Sequence, residues 1–251
     1  MIESLLLAVT RVTTLLNRQV QTNATGFFFE RDTRLYLVTA RHVFKDEASD
    51  HHPDSMLIEL HVDPENAVVI TQFMVPLFRD GAPAWREGAD SAGDVDVAAL
   101  ELDRAALPPT LSLKAFTPGH LVRQFDEMEV GASILIVGFP LGFKDTLHHL
   151  PVARQAIIAT SFGLRFQGEG YFLTDAQMHR GASGAPVVAR AVGAGSSGRE
   201  NLSWLLLGVH TSRMDVDNRD IAEDERLNLN CAWYADIIMT LTQPQPGSYP
   251  G

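Results

Sequence analysis

Residues 181–187 read Gly-Ala-Ser-Gly-Ala-Pro-Val, which places a serine between two glycines at the start of an apolar run. Glycine allows the tight turn that exposes a serine hydroxyl, and the run that follows is typical of a buried strand. A serine hydroxyl is a weak nucleophile near neutral pH unless a base removes its proton. Taken alone, such a stretch is more often a structural turn, so its interpretation depends on whether the chain also supplies a base.

Two earlier stretches supply a base and a carboxylate. Residues 37–43 (Leu-Val-Thr-Ala-Arg-His-Val) place His42 directly after an apolar strand-like run. Residues 94–100 (Asp-Val-Asp-Val-Ala-Ala-Leu) place Asp94 and Asp96 at the start of another. Histidine suits general-base catalysis because its ordinary pKa is about 6.5, and a carboxylate behind the imidazole fixes its tautomer and stabilises the imidazolium. Either aspartate fits this role on residue type alone.

The glycine turn also supplies hydrogen-bond donors. Gly181 can adopt a conformation that turns its N–H inward, where it would join the N–H of Ser183 in an oxyanion hole. One donor in such a hole typically contributes about 3 kcal/mol of transition-state stabilisation. Three short stretches therefore contain the groups that acyl transfer through a serine requires.

Strand-like runs divide the chain into two β-rich halves around a Pro- and Gly-containing linker candidate at 103–125. We predict a short helix to about residue 8 followed by a strand, a loop at 79–94, a closing helix at 233–241 and a disordered tail at 243–251. Two barrels or two sandwiches are the architectures that such halves favour. The other predicted strands cover residues 25–29, 35–39, 56–62, 67–75 and 95–102, then 132–137, 156–161, 171–174, 185–189 and 205–209.

Composition and charge narrow the classes of protein that fit. The 251 residues are 45% apolar and 20% charged, which indicates a soluble globular chain with a substantial core. The net charge of −11 argues against broad contact with nucleic acid or an anionic membrane. The single cysteine excludes an intrachain disulfide, and the first nine residues make a poor secretory signal. We therefore expect a cytoplasmic protein.

The order of the three chemical stretches resembles that of a known enzyme family. A His motif comes first, an Asp motif follows about fifty residues later, and a serine in a glycine turn lies in the second half. This is the order of the chymotrypsin group, and it differs from those of subtilisins and α/β-hydrolases. Residues 25–27, 131–140 and 208–211 also resemble strands of that group. The sequence thus resembles the trypsin-like serine peptidases over most of its length, nearest the bacterial HtrA-type and glutamyl-endopeptidase-type branches.

The resemblance implies an all-β, chymotrypsin-like fold of two six-stranded antiparallel β-barrels with a short C-terminal helix. It places the N-terminal barrel, with His42 and Asp96, in residues 1–118. The C-terminal barrel, with Ser183, then occupies residues 119–242. No PDZ domain of the kind found in typical HtrA proteins is expected after residue 242.

Roles carry over from the family residue by residue. His42 is implied to be the general base, Asp96 the orienting acid and Ser183 the nucleophile, with Gly181 and Ser183 as the oxyanion hole. Asp96 is preferred to Asp94 because the family places its aspartate directly before an apolar-Ala pair, here at 97–98. The sequence departs from the family at residue 185, where Ala replaces a second Gly, a change we expect to be tolerated.

Substrate contacts are also implied by the resemblance. The family's primary specificity pocket corresponds to residues 177–180 and 210–213, and the absence of an acid at its base disfavours Arg or Lys substrates. In glutamyl endopeptidases a histidine matching His210 contacts a Glu or Gln side chain, since an imidazole donor can bond an acidic or amide group. Thr211 and Arg180 are the other expected contacts. The alternative is that His210 only packs in the barrel wall.

We therefore expect a serine endopeptidase that hydrolyses peptide bonds through an acyl-enzyme on Ser183, with Glu or Gln as the candidate residue before the scissile bond. The alternative is a catalytically latent protease fold that acts as a partner-regulated binding module. The expected partners are a protein or peptide substrate and an activating partner, because no Asp directly precedes Ser183 to receive a trypsin-type activation terminus. No nucleic acid, membrane, metal or cofactor is expected, and the sequence does not determine an oligomeric state.

Overall fold

The computed structural model describes residues 2–122, 128–191, 202–213 and 227–244, and its regular structure is nearly all antiparallel strand. The first half contains β1 (Val9–Leu16), β2 (Gln19–Arg31), β3 (Arg34–Thr39), β4 (Ser55–His61), β5 (Ile70–Pro76), β6 (Phe78–Arg79), β7 (Ala82–Pro83), β8 (Trp85–Asp90) and β9 (Gly93–Leu102). The second half contains β10 (Ser133–Gly138), β11 (Val152–Ile158), β12 (Tyr171–Asp175), β13 (Ala185–Arg190), β14 (Trp204–Arg213) and β15 (Leu229–Tyr234), followed by helix α1 (Ile237–Leu241). Short 3₁₀ turns cover Leu6–Ala8, Arg41–Val43, Pro118–His120, Pro140–Gly142 and Phe166–Gly168.

Seven strands of the first half form one sheet in the order β5-β4-β1-β2-β3-β9-β8. The chain between the two edge strands, β5 and β8, holds only the short β6-β7 hairpin, and all seven strands contribute side chains to a single core. The sheet therefore curls around that core. Pro76 and Pro83 interrupt the chain between the edges, because proline has no N–H to donate to a neighbouring strand. The main sheet of this half has seven strands where six were expected, and the β6-β7 hairpin adds two shorter ones.

The second half is a closed six-stranded barrel in the order β10-β11-β12-β15-β14-β13. Its interior holds alternate residues of the strands, such as Ile134 and Ile136 of β10, Phe172 of β12 and Val187 of β13. The predicted all-β, chymotrypsin-like fold class with a short C-terminal helix is confirmed. The predicted division between residues 118 and 119 stays a prediction.

Most predicted strands match observed ones, including the hairpins of β2 with β3 and β4 with β5. The predicted loop at 79–94 is wrong, because β8 lies there and pairs with β9 despite the low strand propensity of its Arg-Glu-Gly-Ala-Asp sequence. The predicted helix at 233–241 begins only at Ile237, because Trp233 and Tyr234 belong to β15. β11 also begins four residues before its predicted start. Residues 245–251 of the predicted tail lie outside the described residues.

A further apolar core joins the two halves. Phe27 and Val97 of the first half pack in one cluster with Val137, Leu206 and Trp233 of the second. Helix α1 closes this cluster with Ile238 and Leu241. This shared core brings together the segments of both halves that contain His42, Asp96 and Ser183. None of the helices in the described part of the chain is long and apolar enough to cross a membrane.

Candidate active site

His42 lies in a 3₁₀ turn directly after β3, and Asp96 of β9 holds it at two points. The backbone N–H of His42 donates to Asp96 Oδ1 at 3.0 Å. Its ring Nδ1 contacts Asp96 Oδ2 at 2.8 Å. Because an ionised carboxylate only accepts hydrogen bonds, Nδ1 carries the proton in this contact, and Nε2 of the neutral ring is left to act as a base.

The pKa of His42 reflects two opposing effects. Burial lowers it, because a charged imidazolium loses hydration, whereas the hydrogen bond and negative charge of Asp96 raise it. Asp46 adds a further raising effect through its charge. The net pKa of His42 is above its ordinary value of 6.5, so its neutral ring is a stronger base than a free imidazole.

The structure separates the two candidate aspartates. The Asp96 side chain is 21% exposed and contacts His42, whereas that of Asp94 is 75% exposed and lies 3.7 Å from Arg41. Asp94 lies two residues before Asp96, near the exposed start of β9. The geometry supports the preference for Asp96 as the orienting acid.

Ser183 lies in a turn that requires glycine on both sides. Gly181 and Gly184 have φ angles of 91° and 86°, in the left-handed region. A Cβ on Gly181 would come within 2.6 Å of the Phe139 carbonyl oxygen, and one on Gly184 would overlap the backbone of Thr25. Among the backbone hydrogen bonds of the described residues, none uses the N–H of Gly181 or of Ser183. These two N–H groups are therefore available as the donors of an oxyanion hole.

Contacts that the sequence did not predict hold this turn in place. The Thr25 backbone N–H donates to the Ser183 carbonyl at 2.9 Å, and its hydroxyl donates to the Gly181 carbonyl at 2.7 Å. The same hydroxyl accepts the N–H of Phe139 at 3.0 Å. Thr25 is fully buried, so each bond is shielded from water. The only sequence signal for this role is a polar residue at the start of an aromatic strand.

The Ser183 hydroxyl donates to the Thr211 carbonyl at 2.9 Å, and no hydrogen bond in the described structure joins it to His42. A rotation about the Cα–Cβ bond moves a serine hydroxyl between staggered positions. Ser183 and His42 line the same cleft, which has a volume of about 420 Å³. The arrangement can thus support attack by Ser183 once its hydroxyl turns towards His42.

The predicted substrate contacts lie in two places. Arg180 is exposed and lines the cleft with His42 and Ser183. His210 and Thr211 lie on β14 directly behind the serine turn, where the His210 carbonyl accepts the N–H of Gly184 at 2.7 Å. His210 is buried, with only 3% of the residue exposed. Neither β14 residue is among the described residues that line the cleft.

The described residues contain no group of three or more His, Cys, Asp and Glu side chains placed to hold a metal ion. The histidine pair at 51–52 is divided, with His51 lining the cleft and His52 beside the exposed Asp50.

Comparison with known proteins adds a family and a fold. Residues 24–193 match the family model described as "Trypsin-like peptidase domain". Two similar solved structures are the HtrA-type protease AlgW with a tripeptide and a serine endoprotease from Yersinia pestis. Both give a TM-score of 0.51 at 16% sequence identity over 94% of this chain, covering 58% and 61% of theirs. The chain thus spans about three-fifths of the length of those two, and the likeness is one of fold. Comparison with curated proteins found no match.

Proposed function

Because the chain belongs to the trypsin-like peptidase domain family, we propose that it is a serine endopeptidase. In this proposal Ser183 is the nucleophile, His42 the general base and Asp96 the acid that orients His42. The observation that carries the proposal is the double contact of Asp96 with His42, beside a serine turn with two available N–H groups. The proposed substrate is a peptide or protein, because residues of both halves line the cleft that contains His42 and Ser183.

The proposed reaction begins when the Ser183 hydroxyl turns from Thr211 to His42 Nε2. Oγ attacks the scissile carbonyl while its proton moves to Nε2, and the N–H groups of Gly181 and Ser183 bind the oxyanion that forms. The tetrahedral intermediate collapses to an acyl-enzyme, and the imidazolium gives its proton to the leaving amine. In the second half of the reaction, His42 takes a proton from water as the water attacks the acyl-enzyme carbonyl. Ser183 is regenerated and the acid product is released.

Cleavage profiling of the full chain on a diverse peptide library tests this function. The proposal predicts cleavage at defined positions by the wild-type protein. Hydrolysis of simple esters with no peptide cleaved would instead indicate another acyl hydrolase on the same site. The absence of both activities would contradict the proposal.

The pH dependence of cleavage should follow the His42 imidazole. Because only the neutral ring can accept the serine proton, kcat/KM should fall at acid pH with a midpoint above 6.5. Asp46→Asn should move this midpoint to lower pH, because its negative charge helps raise the pKa of His42. Asp50→Asn is the matched control, since its side chain is 98% exposed and does not contribute to that shift. Equal midpoints for Asp46→Asn and wild type would contradict this assignment.

We also propose that the enzyme prefers Glu or Gln before the scissile bond, with His210 as the residue that recognises it. Support comes from the position of His210 on β14 next to the serine turn, where the His210 carbonyl accepts a hydrogen bond from the N–H of Gly184. An imidazole N–H can donate to a carboxylate or an amide oxygen, and an exposed Arg180 on the cleft adds positive charge.

Replacing His210 tests this preference. His210→Val should lower kcat/KM for a Glu-containing peptide by about 10- to 100-fold, the typical effect of one hydrogen bond to a charged group. The matching Ala-containing peptide should change little. His52→Val is the control, because His52 is half-exposed and pairs with Asp50. An equal loss on both peptides would assign His210 to the barrel wall.

One observation favours the second candidate function, a latent protease fold regulated by a partner. The Ser183 hydroxyl bonds to the Thr211 carbonyl and not to His42, which is a non-productive position. A fluorophosphonate probe distinguishes the two candidates. A protein that neither reacts with the probe nor cleaves peptides would favour the latent fold.

A further inference from the structure

A cluster of charged side chains lies between β4 and the loop that joins β10 to β11, and it has no part in the proposed reaction. Glu59 of β4 has a side chain only 6% exposed, and Lys144 of the loop between β10 and β11 has one 13% exposed. Lys144 Nζ donates to the two carboxylate oxygens of Glu59 at 2.7 and 2.8 Å. Arg11 of β1 adds a second cation, 3.2 Å from Glu59 Oε1. The ion pair of Lys144 with Glu59 therefore joins the two halves of the fold.

Lys144 Nζ has polar partners on both Glu59 and His149. Burial alone would raise the pKa of the Glu59 carboxyl, but the Lys144 hydrogen bond and the Arg11 charge outweigh it, and the pKa lies below 4.5. Lys144 Nζ also contacts the ring Nδ1 of His149 at 2.6 Å. The same ring nitrogen lies 3.1 Å from Glu59 Oε2, so His149 adds a further polar contact to the ion pair.

The same loop reaches the oxyanion hole at its other end. The N–H of Leu141 donates to the carbonyl of Arg180 at 2.5 Å. That carbonyl belongs to the peptide unit whose N–H is that of Gly181. Since a trans peptide unit is planar, with its C=O and N–H on opposite sides, fixing the carbonyl also fixes where the Gly181 N–H points.

The loop between these two anchors is compact. Gly142 and Phe143 donate their N–H groups to the carbonyls of Phe139 and Pro140 at 2.9 and 2.8 Å. Two turns after Lys144 close with bonds from Asp145 to Leu150 and from His149 to Asp145. Another link to β4 is the 2.7 Å contact of His61 Nε2 with the His148 carbonyl. Because these hydrogen bonds hold the loop together, a displacement of Lys144 should also displace Leu141.

We propose that Lys144 and Glu59 are positioning residues for the oxyanion hole: their ion pair holds the β10–β11 loop against β4, and the loop keeps the Gly181 N–H aimed at the reaction centre. The inference rests on the proposed peptidase function. Neither residue touches the reacting atoms. Their effect passes through Leu141 and the Arg180–Gly181 peptide unit.

The test is Lys144→Met in the full chain. This variant keeps an unbranched apolar side chain but removes the ammonium group, and Arg11 remains beside Glu59. We expect kcat to fall by about 10- to 100-fold, less than or equal to the loss of a whole oxyanion donor, with KM within about twofold. Reaction with a fluorophosphonate should slow by a similar factor, because its phosphoryl oxygen uses the same hole. Hydrogen exchange in peptides covering 139–150 should become faster, while exchange in β13 and β14 stays unchanged.

Matched controls and a double variant make the test specific. Lys114→Met removes a half-buried lysine that has no ion pair among the described residues, and Glu47→Gln removes a carboxylate that is 77% exposed. Both should keep wild-type kcat. Glu59→Gln should resemble Lys144→Met, and the double variant should lose no more than the worse single one, because both changes break one contact.

Two outcomes would overturn the inference. One is a Lys144→Met protein with wild-type kcat and faster exchange at 139–150. The other is a loss of kcat accompanied by faster exchange throughout the second barrel, which would mean general destabilisation. If the wild type neither cleaves peptides nor reacts with the probe, the proposed function fails. Exchange at 139–150 then decides separately whether Lys144 anchors the loop.

Discussion

Ser183→Ala should reduce kcat for peptide cleavage by about 10⁶-fold and leave the fold intact, because losing the nucleophile of a serine peptidase removes the covalent route entirely. Any residual activity would come from binding and the oxyanion hole alone. The only side-chain hydrogen bond lost among the described residues is that to the Thr211 carbonyl, so the melting temperature should change little. Measurement of kcat on the best peptide from the library gives the comparison.

Ser161→Ala is the matched control for this prediction. Ser161 is exposed in the connection between β11 and β12, and its side chain forms no hydrogen bond among those of the described residues. We expect wild-type activity from this variant. Activity of Ser183→Ala within about tenfold of wild type would show that hydrolysis uses another group, since 10⁶-fold is the expected effect.

Asp96→Asn should reduce kcat by about 10⁴-fold, the second largest effect we expect. An asparagine amide can occupy the same space, but it can donate to Nδ1 and thus place the imidazole proton on Nε2, where the base is needed. It also removes the charge that raises the pKa of His42 and stabilises the imidazolium. The loss should appear in kcat and kcat/KM alike, with little change in KM.

Asp94→Asn separates the two aspartates that the sequence left as candidates. The Asp94 side chain is 75% exposed, and its ion pair with Arg41 at 3.7 Å is of a kind that contributes at most about 1 kcal/mol. Its kcat should stay within about threefold of wild type, since exposed charges have small effects. A large loss in Asp94→Asn with activity retained in Asp96→Asn would reverse the assignment.

Strong local patterns explain which parts of the fold the sequence predicted. The runs at 25–29 and 35–39 combine aromatic and β-branched residues with a short polar turn, and they form the β2-β3 hairpin. β8 carries no such pattern, since it is a strand only through its pairing with β9. Only two residues separate the end of β15 at Tyr234 from the start of α1 at Ile237, so the apolar pattern does not show where the strand ends.

The candidate site shows the same division. His42, Asp96 and Ser183 each lie in a short motif, and their order along the chain carries the resemblance to a family. The contacts that hold the oxyanion turn have no such signal, because Thr25 lies 156 residues before Gly181 and meets it only through folding. Glu59 and Lys144 are likewise 85 residues apart. Their roles depend on which loops meet at the junction of the halves, and neither residue type nor spacing encodes that.

The measurement that tests the central claim most directly is the intact mass of the full chain after reaction with a fluorophosphonate, followed by peptide mapping. We predict a single adduct on Ser183, absent from Ser183→Ala and much slower to form in Asp96→Asn. No adduct on the wild type, or an adduct that persists in Ser183→Ala, would contradict the assignment of Ser183 as an activated nucleophile.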